Sequence, residues 1–376
     1  MTQRDKATIA ATAAGAHNAG GGVVGPLELS TTFERDSAYD LPPSGDIYRR
    51  PDNATVREAE RVIAALEGGT DAVLFPSGLA AMAAAMRVHL DRGVLLQEGA
   101  YYGTETLLGE LAGAAALPLF AAGDLAALEG ACATHRPGMV VIETPSNPLL
   151  TVTSIADAAG IAHRYGAILV VDSSAATPIL TQPLALGADI VMHSATKGLN
   201  GHSDVLAGVL VAGERGADTF AAARTSRSRL GAMVSPFDAM MLTRGMRTLA
   251  LRVAAMSQSA LHLATLLDAQ PKVRRVFYPG LPDHPGHAVA AAQMSGGFGG
   301  LMSFEVEGGA EAALALAGRL SLIKRATSLG GVESMIEHRA SIEPPHRAVP
   351  PGLLRLSVGI EAVGDLADDL LGALGN

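Results

Sequence analysis

The stretch Ala72-Val73-Leu74-Phe75-Pro76-Ser77-Gly78-Leu79 reads as a short apolar strand, a tight turn and the start of an Ala-rich helix running to Arg87. Working outward, the same alternation recurs. Val94-Leu95-Leu96 and Met139-Val140-Val141-Ile142 are short buried-strand runs, with a helical pattern over 124–133 between them. Ser154-Ile155-Ala156-Asp157 opens a further helix that stops at Gly166. Two more apolar strands follow, Ile168-Leu169-Val170-Val171 and Asp189-Ile190-Val191-Met192. Upstream, Thr55-Val56-Arg57-Glu58 has the form of a capping box. Ala59, Val62, Ile63 and Leu66 keep helical spacing behind it until Gly68-Gly69. Short, fully apolar strands separated by helices predict an α/β fold with a mostly parallel sheet covered on both faces.

After Pro236 the texture changes. A helical pattern runs from Phe237 to about Ala269, Gly- and Pro-rich turns follow, and Leu301 to Val306 and Leu354 to Val358 alternate more than the earlier strands. The expected organisation is an N-terminal arm over 1–50, a large domain over 51–235 and an α+β domain over 236–376. A length of 376 residues fits two domains at roughly 100–200 residues each. The Met240, Met241 and Met246 stripe reads as core.

Composition excludes several classes of function. The net charge of −9, with no block of Lys or Arg, argues against a nucleic-acid or anionic-membrane surface. Cys132 is the single cysteine, so neither an internal disulfide nor a cysteine-rich zinc site is possible. Mean hydropathy is +0.27, yet the apolar runs are short; Leu111 to Leu128 carries Pro118 and Asp124 and cannot span a bilayer. Met1 to Ala10 has no apolar signal core, and a cytoplasmic location is expected. His193 and His202 read as structural rather than as metal ligands, and no metal is expected.

Chemistry is expected at the strand ends of such a sheet. Four strand-end sequences stand out: Ser77-Gly78-Leu79, Glu143-Thr144-Pro145-Ser146-Asn147-Pro148, Asp172, and Ser194-Ala195-Thr196-Lys197. A lone lysine is usually solvated, and a lone aspartate after a strand usually caps a helix. Here the lysine sits among Ser and Thr just past a buried strand, as an imine-forming lysine does.

These motifs, with His17, Thr31-Thr32-Phe33, Tyr48 to Thr55, Val171 to Pro178, Ser328 to Ser334 and Leu354 to Glu361, occur in one order along the chain. In this the sequence resembles the Cys/Met-metabolism family of pyridoxal-phosphate enzymes, which includes cystathionine β-lyase, cystathionine γ-lyase, cystathionine γ-synthase and methionine γ-lyase. The resemblance implies an aspartate-aminotransferase-like (fold type I) architecture and pyridoxal 5′-phosphate as cofactor. It implies that Lys197 holds the cofactor and then removes the substrate Cα proton, and that Asp172 pairs with the ring nitrogen. Asn147 matches the residue near the ring oxygen and the substrate. Tyr101 matches the ring-stacking tyrosine and candidate proton carrier; Tyr102 follows it where glycine is common, so the stacking role falls to one of the two. Ser77, Gly78, Leu79, Ser174, Ser194 and Thr196 match phosphate and cofactor contacts, with the Gly78 and Leu79 N–H groups at a helix N-terminus. Tyr48 and Arg50 match residues inserted from a neighbouring subunit, which implies a homotetramer. Arg355, with Ser328 and Asn147, matches the clamp on the substrate α-carboxylate.

The implied function is a carbon–sulfur lyase acting on cystathionine or a related small thioether amino acid. γ-Acting relatives often carry glutamate where this chain has Thr327, so β-elimination is expected ahead of γ-elimination and of γ-replacement on an acylated homoserine. Glu333 and Glu337 are the nearby carboxylates that could stand in for it. Glu337-His338-Arg339-Ala340 departs from the commoner His-Pro and marks an unusual distal pocket. A non-catalytic binding protein on the same fold would have lost Lys197 or Asp172; both are present.

Overall fold

The structure is a computed structural model that describes residues 4–13 and 21–375; His17 lies outside them. The first half runs α1 (Lys6–Ala11), α2 (Ala54–Glu67), β1 (Asp71–Phe75), α3 (Gly78–Met86), β2 (Val94–Leu96), α4 (Tyr102–Ala112), α5 (Leu125–His135), β3 (Met139–Glu143), α6 (Ile155–Arg164), β4 (Ile168–Asp172), α7 (Thr177–Leu180), β5 (Ile190–His193), β6 (Gly208–Ala212) and α8 (Ala217–Leu230). The second runs α9 (Pro236–Met246), α10 (Leu249–Asp268), β7 (Val273–Phe277), α11 (His287–Gln293), β8 (Leu301–Val306), α12 (Gly309–Arg319), β9 (Lys324–Arg325), β10 (Met335–His338), β11 (Leu353–Ser357) and α13 (Val363–Leu374).

Strands β1 to β6 form one sheet in the order β1-β6-β5-β4-β3-β2. β2, β3, β4 and β5 pair in parallel, while β6 runs antiparallel between β5 and β1. Alternate residues enter different cores. Val73 and Phe75 pack with Met82 and Met86 of α3; Leu74 packs with Val62 and Leu66 of α2; Leu169 and Val171 pack with Ile155 and Ile161 of α6. Both faces are covered, which is why these strands carry no polar alternation. Strand β6 adds to the strands expected from the sequence. It passes so close to the turn after β1 that a Cβ on Gly208 would lie 2.2 Å from the Ser77 carbonyl oxygen.

The second sheet has the order β7-β8-β11-β10-β9, antiparallel except for the β9–β10 pair. Its alternation has a structural reason. Met302, Phe304, Leu354, Leu356 and Ile336 face α10, α12 and α13, whereas Ser303, Arg355 and Glu337 occupy the other parity. That polar face is buried too, because it closes against the first sheet: Ser303 Oγ donates to the Pro148 carbonyl at 2.7 Å.

Three local expectations are corrected. Helix α2 is capped by Asn53, whose side chain accepts from the Thr55 and Val56 N–H groups, rather than by a Thr55/Glu58 box. Thr55 instead bonds Glu28 N and Pro26 O, and Glu58 pairs with Arg61. The single helix expected from Phe237 breaks between α9 and α10. There the buried Arg252 reaches back to the Gly245 carbonyl and out to those of Gly198 and Leu199. Of the methionine stripe Met246 is fully buried in the core, Met241 is half-buried against the same core, and Met240 is half-buried outside it. Ala239, Leu242 and Met246 pack with α2 in the first core, as do Leu249 and Val253, while Ala260, Leu263, Ala264 and Leu267 pack in the second, so packing passes between cores inside α10; Ala290 and Met294 at α11 return to the first core.

The cap assignment is checkable. Asn53→Ala should destabilise the protein by about 1 kcal/mol or somewhat more, since two N–H groups lose their acceptor and Glu28 O loses a donor. Glu58→Ala, on an exposed pair, should stay within about 0.5 kcal/mol of the parent. Denaturant midpoints of the two variants measure the difference.

Candidate active site

The sequence has four lysines, and three are committed elsewhere or exposed. Lys6 donates to the Ile179 carbonyl, Lys272 to Leu374 and Gly375, and Lys324 lies on the exposed edge strand β9. Lys197 sits just past β5, at the carboxyl ends of the parallel strands, and its Nζ donates to Ser328 Oγ at 2.7 Å. Burial, and then the Arg355 guanidinium, lower its pKa from the ordinary lysine value. The amine is therefore neutral at lower pH than a surface lysine, as a nucleophile and base must be. Its loop is fixed from below by Arg252 on the carbonyls of Gly198 and Leu199.

Two carboxylates stand side by side at adjacent strand ends. Glu143 closes β3, Asp172 closes β4, and the two are register partners. Asp172 is buried, with the Ser174 N–H donating to Oδ1 at 3.0 Å; burial raises its pKa. Burial, and then Asp172 itself, push Glu143 up to about 8. A cation against Asp172 would relieve this environment, and the protonated nitrogen of a pyridine ring is one. Glu143 also positions two neighbours, since Oε2 accepts from the Tyr101 N–H at 2.6 Å and Oε1 accepts from the Asn147 N–H at 3.0 Å.

Two adjacent turns meet beside these carboxylates. Ser77 caps α3 through its hydroxyl on Ala80 N, so the Gly78 and Leu79 N–H groups are the first-turn donors without an intrahelical acceptor. The turns touch: a Cβ on Gly78 would lie 3.1 Å from the Ser194 Cβ. Ser174 Oγ accepts from Ser194 N at 2.7 Å. Thr196 is occupied on both sides, its hydroxyl donating to Ala207 O and accepting from Ala207 N, so it fixes the lysine loop. A helix end with free first-turn N–H groups, a buried carboxylate that makes no ion pair among the described residues, and a desolvated lysine together fit pyridoxal 5′-phosphate. Among the described residues no group of three or more His, Cys, Asp and Glu side chains could hold a metal ion.

The second sheet supplies the roof. Arg355 Nη1 donates to Asn147 Oδ1 at 3.2 Å, and Nη2 donates to the Ser328 carbonyl at 2.9 Å and lies 2.7 Å from Glu337 Oε2. Its buried Nε has no hydrogen-bond partner. Burial lowers this guanidinium to about 10. Ser328 holds both groups, its hydroxyl under Lys197 and its carbonyl on Arg355, with a left-handed backbone of φ 106°. Tyr101 and Tyr102 lie ring to ring at 4.8 Å, and burial with Tyr102 pushes the Tyr101 phenol up to about 12, so it carries its proton at neutral pH.

Lys197, Asn147, Arg355 and Ser328 are thus linked by direct hydrogen bonds, and Ser77, Gly78, Leu79, Tyr101, Asp172, Ser174, Ser194 and Thr196 belong to the strand-end turns around them. Tyr48 and Arg50 do not join the cluster. They are paired with each other, Arg50 lying 5.3 Å over the Tyr48 ring, and Tyr48 is 44% exposed. Glu337, one of the two carboxylates near Thr327 in sequence, is paired with Arg355 and with Arg339 at 2.5 Å. Glu333 accepts from Ser203 Oγ. Glu143, Arg252 and Arg339 received no role from the sequence; the one available signal was an acidic residue ending the otherwise apolar run 139–142.

A profile of the family described as "Cys/Met metabolism PLP-dependent enzyme" matches residues 7–375. The chain is 40% identical over 366 residues to a cystathionine gamma-synthase of Mycobacterium leprae, covering 94% of this chain and 92% of that one. It is 39% identical over 367 residues to a cystathionine beta-lyase of Coxiella burnetii, covering 94% and 93%. The solved cystathionine gamma synthase of Xanthomonas oryzae pv. oryzae superposes with a TM-score of 0.93 at 38% identity, over 100% of this chain and 98% of that one. Fold, site and relatives agree: the chain belongs to the Cys/Met-metabolism family of pyridoxal-phosphate-dependent enzymes, with the fold type I architecture.

Proposed function

We propose that this enzyme is a carbon–sulfur lyase that cleaves cystathionine, or a related thioether amino acid, by β-elimination. One observation carries the amino-acid chemistry that this reading requires: the Lys197 amine and the Arg355 guanidinium converge on the same residue, Ser328. An amino acid whose carboxylate sits on Arg355 and Asn147 brings its Cα proton to the lysine. When bound, pyridoxal 5′-phosphate supplies the electron sink that makes that proton removable. The chain does the rest. Gly78, Leu79, Ser77 and Ser194 would hold the phosphate and Asp172 the ring nitrogen; Tyr101 covers the site. Lys197 Nζ takes the Cα proton and holds it while the Cβ–S bond breaks. With one water, cystathionine gives homocysteine, pyruvate and ammonia.

γ-Elimination needs a second proton removed from Cβ and a longer chain held in register. Thr327 is exposed and uncharged, Glu333 is bonded to Ser203, and Glu337 is taken by two arginines, so none of these positions offers a free carboxylate to a distal ammonium. A second reading, γ-replacement on an acylated homoserine, is favoured by the relatives named cystathionine gamma-synthase and uses the same lysine and clamp. We place the enzyme in the cytoplasm as a homotetramer, with residues 1–50 as an arm that carries Tyr48 and Arg50 into a neighbour's site. Among the described residues no helix is long and apolar enough to cross a membrane.

Borohydride should fix the cofactor to Lys197, and Lys197→Ala should lose both that adduct and turnover; an adduct mapped by mass spectrometry to Lys272 or Lys324 would overturn the assignment. Incubated with L-cystathionine, the enzyme should release pyruvate and homocysteine. 2-Oxobutanoate and cysteine as main products would replace β- by γ-elimination, and turnover only with an acylated homoserine plus a thiol would establish the second reading. The shared-site arrangement predicts complementation: mixing inactive Arg50→Ala and Lys197→Ala subunits under exchange should restore part of the activity, whereas a fully active monomer in sedimentation would exclude it.

A further inference from the structure

Arg339 received no role from the sequence, yet it is 3% exposed and sits in a chain of alternating charges behind the carboxylate clamp. The chain starts from a cross-strand pair. Glu337 on β10 and Arg355 on β11 are register partners, which places the carboxylate against the guanidinium. A single oxygen, Glu337 Oε2, receives both Arg355 Nη2 at 2.7 Å and Arg339 Nη1 at 2.5 Å. The other arm of Arg339 pairs with Glu343. Glu343 lies 3.8 Å from Arg347, and Arg347 pairs with Glu105 at 2.8 Å. Glu105 belongs to the first turn of α4, the helix that begins at Tyr102 and has Tyr101 as its cap.

The distribution of charge sets a problem that Arg339 solves. Glu337 is 8% exposed, so water cannot solvate its carboxylate. Without Arg339 its one remaining ion pair among the described residues would be with Arg355, the Lys197 amine lying near enough to feel its charge. An incoming substrate carboxylate would then compete with an internal one, in a low-dielectric site where both interactions are strong. With Arg339 present, Glu337 is shared between two guanidinium groups, and Arg355 keeps positive potential for the ligand. We propose that Arg339 is a positioning residue for amino-acid binding: by sharing Glu337 it keeps Arg355 available to the substrate α-carboxylate, and through Glu343, Arg347 and Glu105 it ties that clamp to the helix carrying Tyr101. The inference rests on the reading of Arg355 as the clamp.

The test is calorimetric binding to the cofactor-loaded enzyme, using glycine, which has an α-carboxylate but nothing to eliminate, and methylamine, which has the amine alone. Arg339→Gln should raise the dissociation constant for glycine on the order of tenfold, the scale expected for residues coupled within one ion-pair network. It should leave methylamine binding unchanged, which also shows that the site is folded. The decisive variant is Arg339→Gln with Glu337→Gln: removing the competing carboxylate should restore glycine binding, an outcome no purely structural role produces. If Arg339→Gln leaves glycine binding unaltered while Arg355→Ala weakens it, Arg339 has no such role and the clamp stands. If glycine and methylamine weaken together and Glu337→Gln fails to rescue, Arg339 is only a packing residue. If Arg355→Ala does not weaken glycine either, the clamp reading falls and this inference with it.

Discussion

The buried guanidinium of Arg355 is the constraint on which the site depends. Removing such a group from water costs several kcal/mol unless partners surround it. This one finds them in both halves of the chain: the Asn147 side chain after β3, the Ser328 carbonyl, and Glu337 across the β10–β11 ladder. Satisfying it requires that β11 turn its polar parity toward the first sheet and that the loop after β3 reach up to meet it. Ser303 on Pro148 and Lys197 on Ser328 close the same seam. The seam is polar because strand parity and loop placement put hydrogen-bonding groups there in matched pairs.

The seam is also polarised. Its floor holds two adjacent carboxylates, Glu143 and Asp172, and its roof holds Arg355, with Lys197 between. Burial raises the pKa of both acids and lowers those of the lysine and the arginine, so it works against charge on each wall. A ligand with a cationic ring nitrogen at the floor and a carboxylate at the roof relieves both walls at once. Pyridoxal 5′-phosphate joined to an amino acid has that distribution, which gives a physical reason for this family's cofactor in this fold.

Much of the first half was legible because its signals are local. The apolar runs that became β1, β3, β4 and β5 needed no knowledge of their neighbours, and Ser77, Asp124 and Ser154 cap the helices their positions suggested. Errors arose where a distant residue intervened. Thr55 and Glu58 have the spacing of a capping box, but Asn53 starts the helix earlier because it can also bond the Glu28 carbonyl. The pattern from Phe237 onward is continuous in hydrophobicity, yet the helix breaks where Arg252 gathers carbonyls from the lysine loop and from Gly245. The lysine loop lies far from Arg252 in sequence, and so does Glu28 from Asn53.

By itself the sequence determined the alternation of strand and helix, the strand-end turns and the residue types in them, since backbone periodicity and turn chemistry act over a few residues. It identified Lys197, Asp172, Asn147 and Arg355 as candidates through their motifs. Only the tertiary structure decided which charges face one another. It made Glu143 a bracket for Tyr101 and Asn147, set Glu337 opposite Arg355, and set Arg339 behind both. Those pairings depend on strand register and on the meeting of two sheets, and electrostatic partners joined through space carry no signature in the local order of residues.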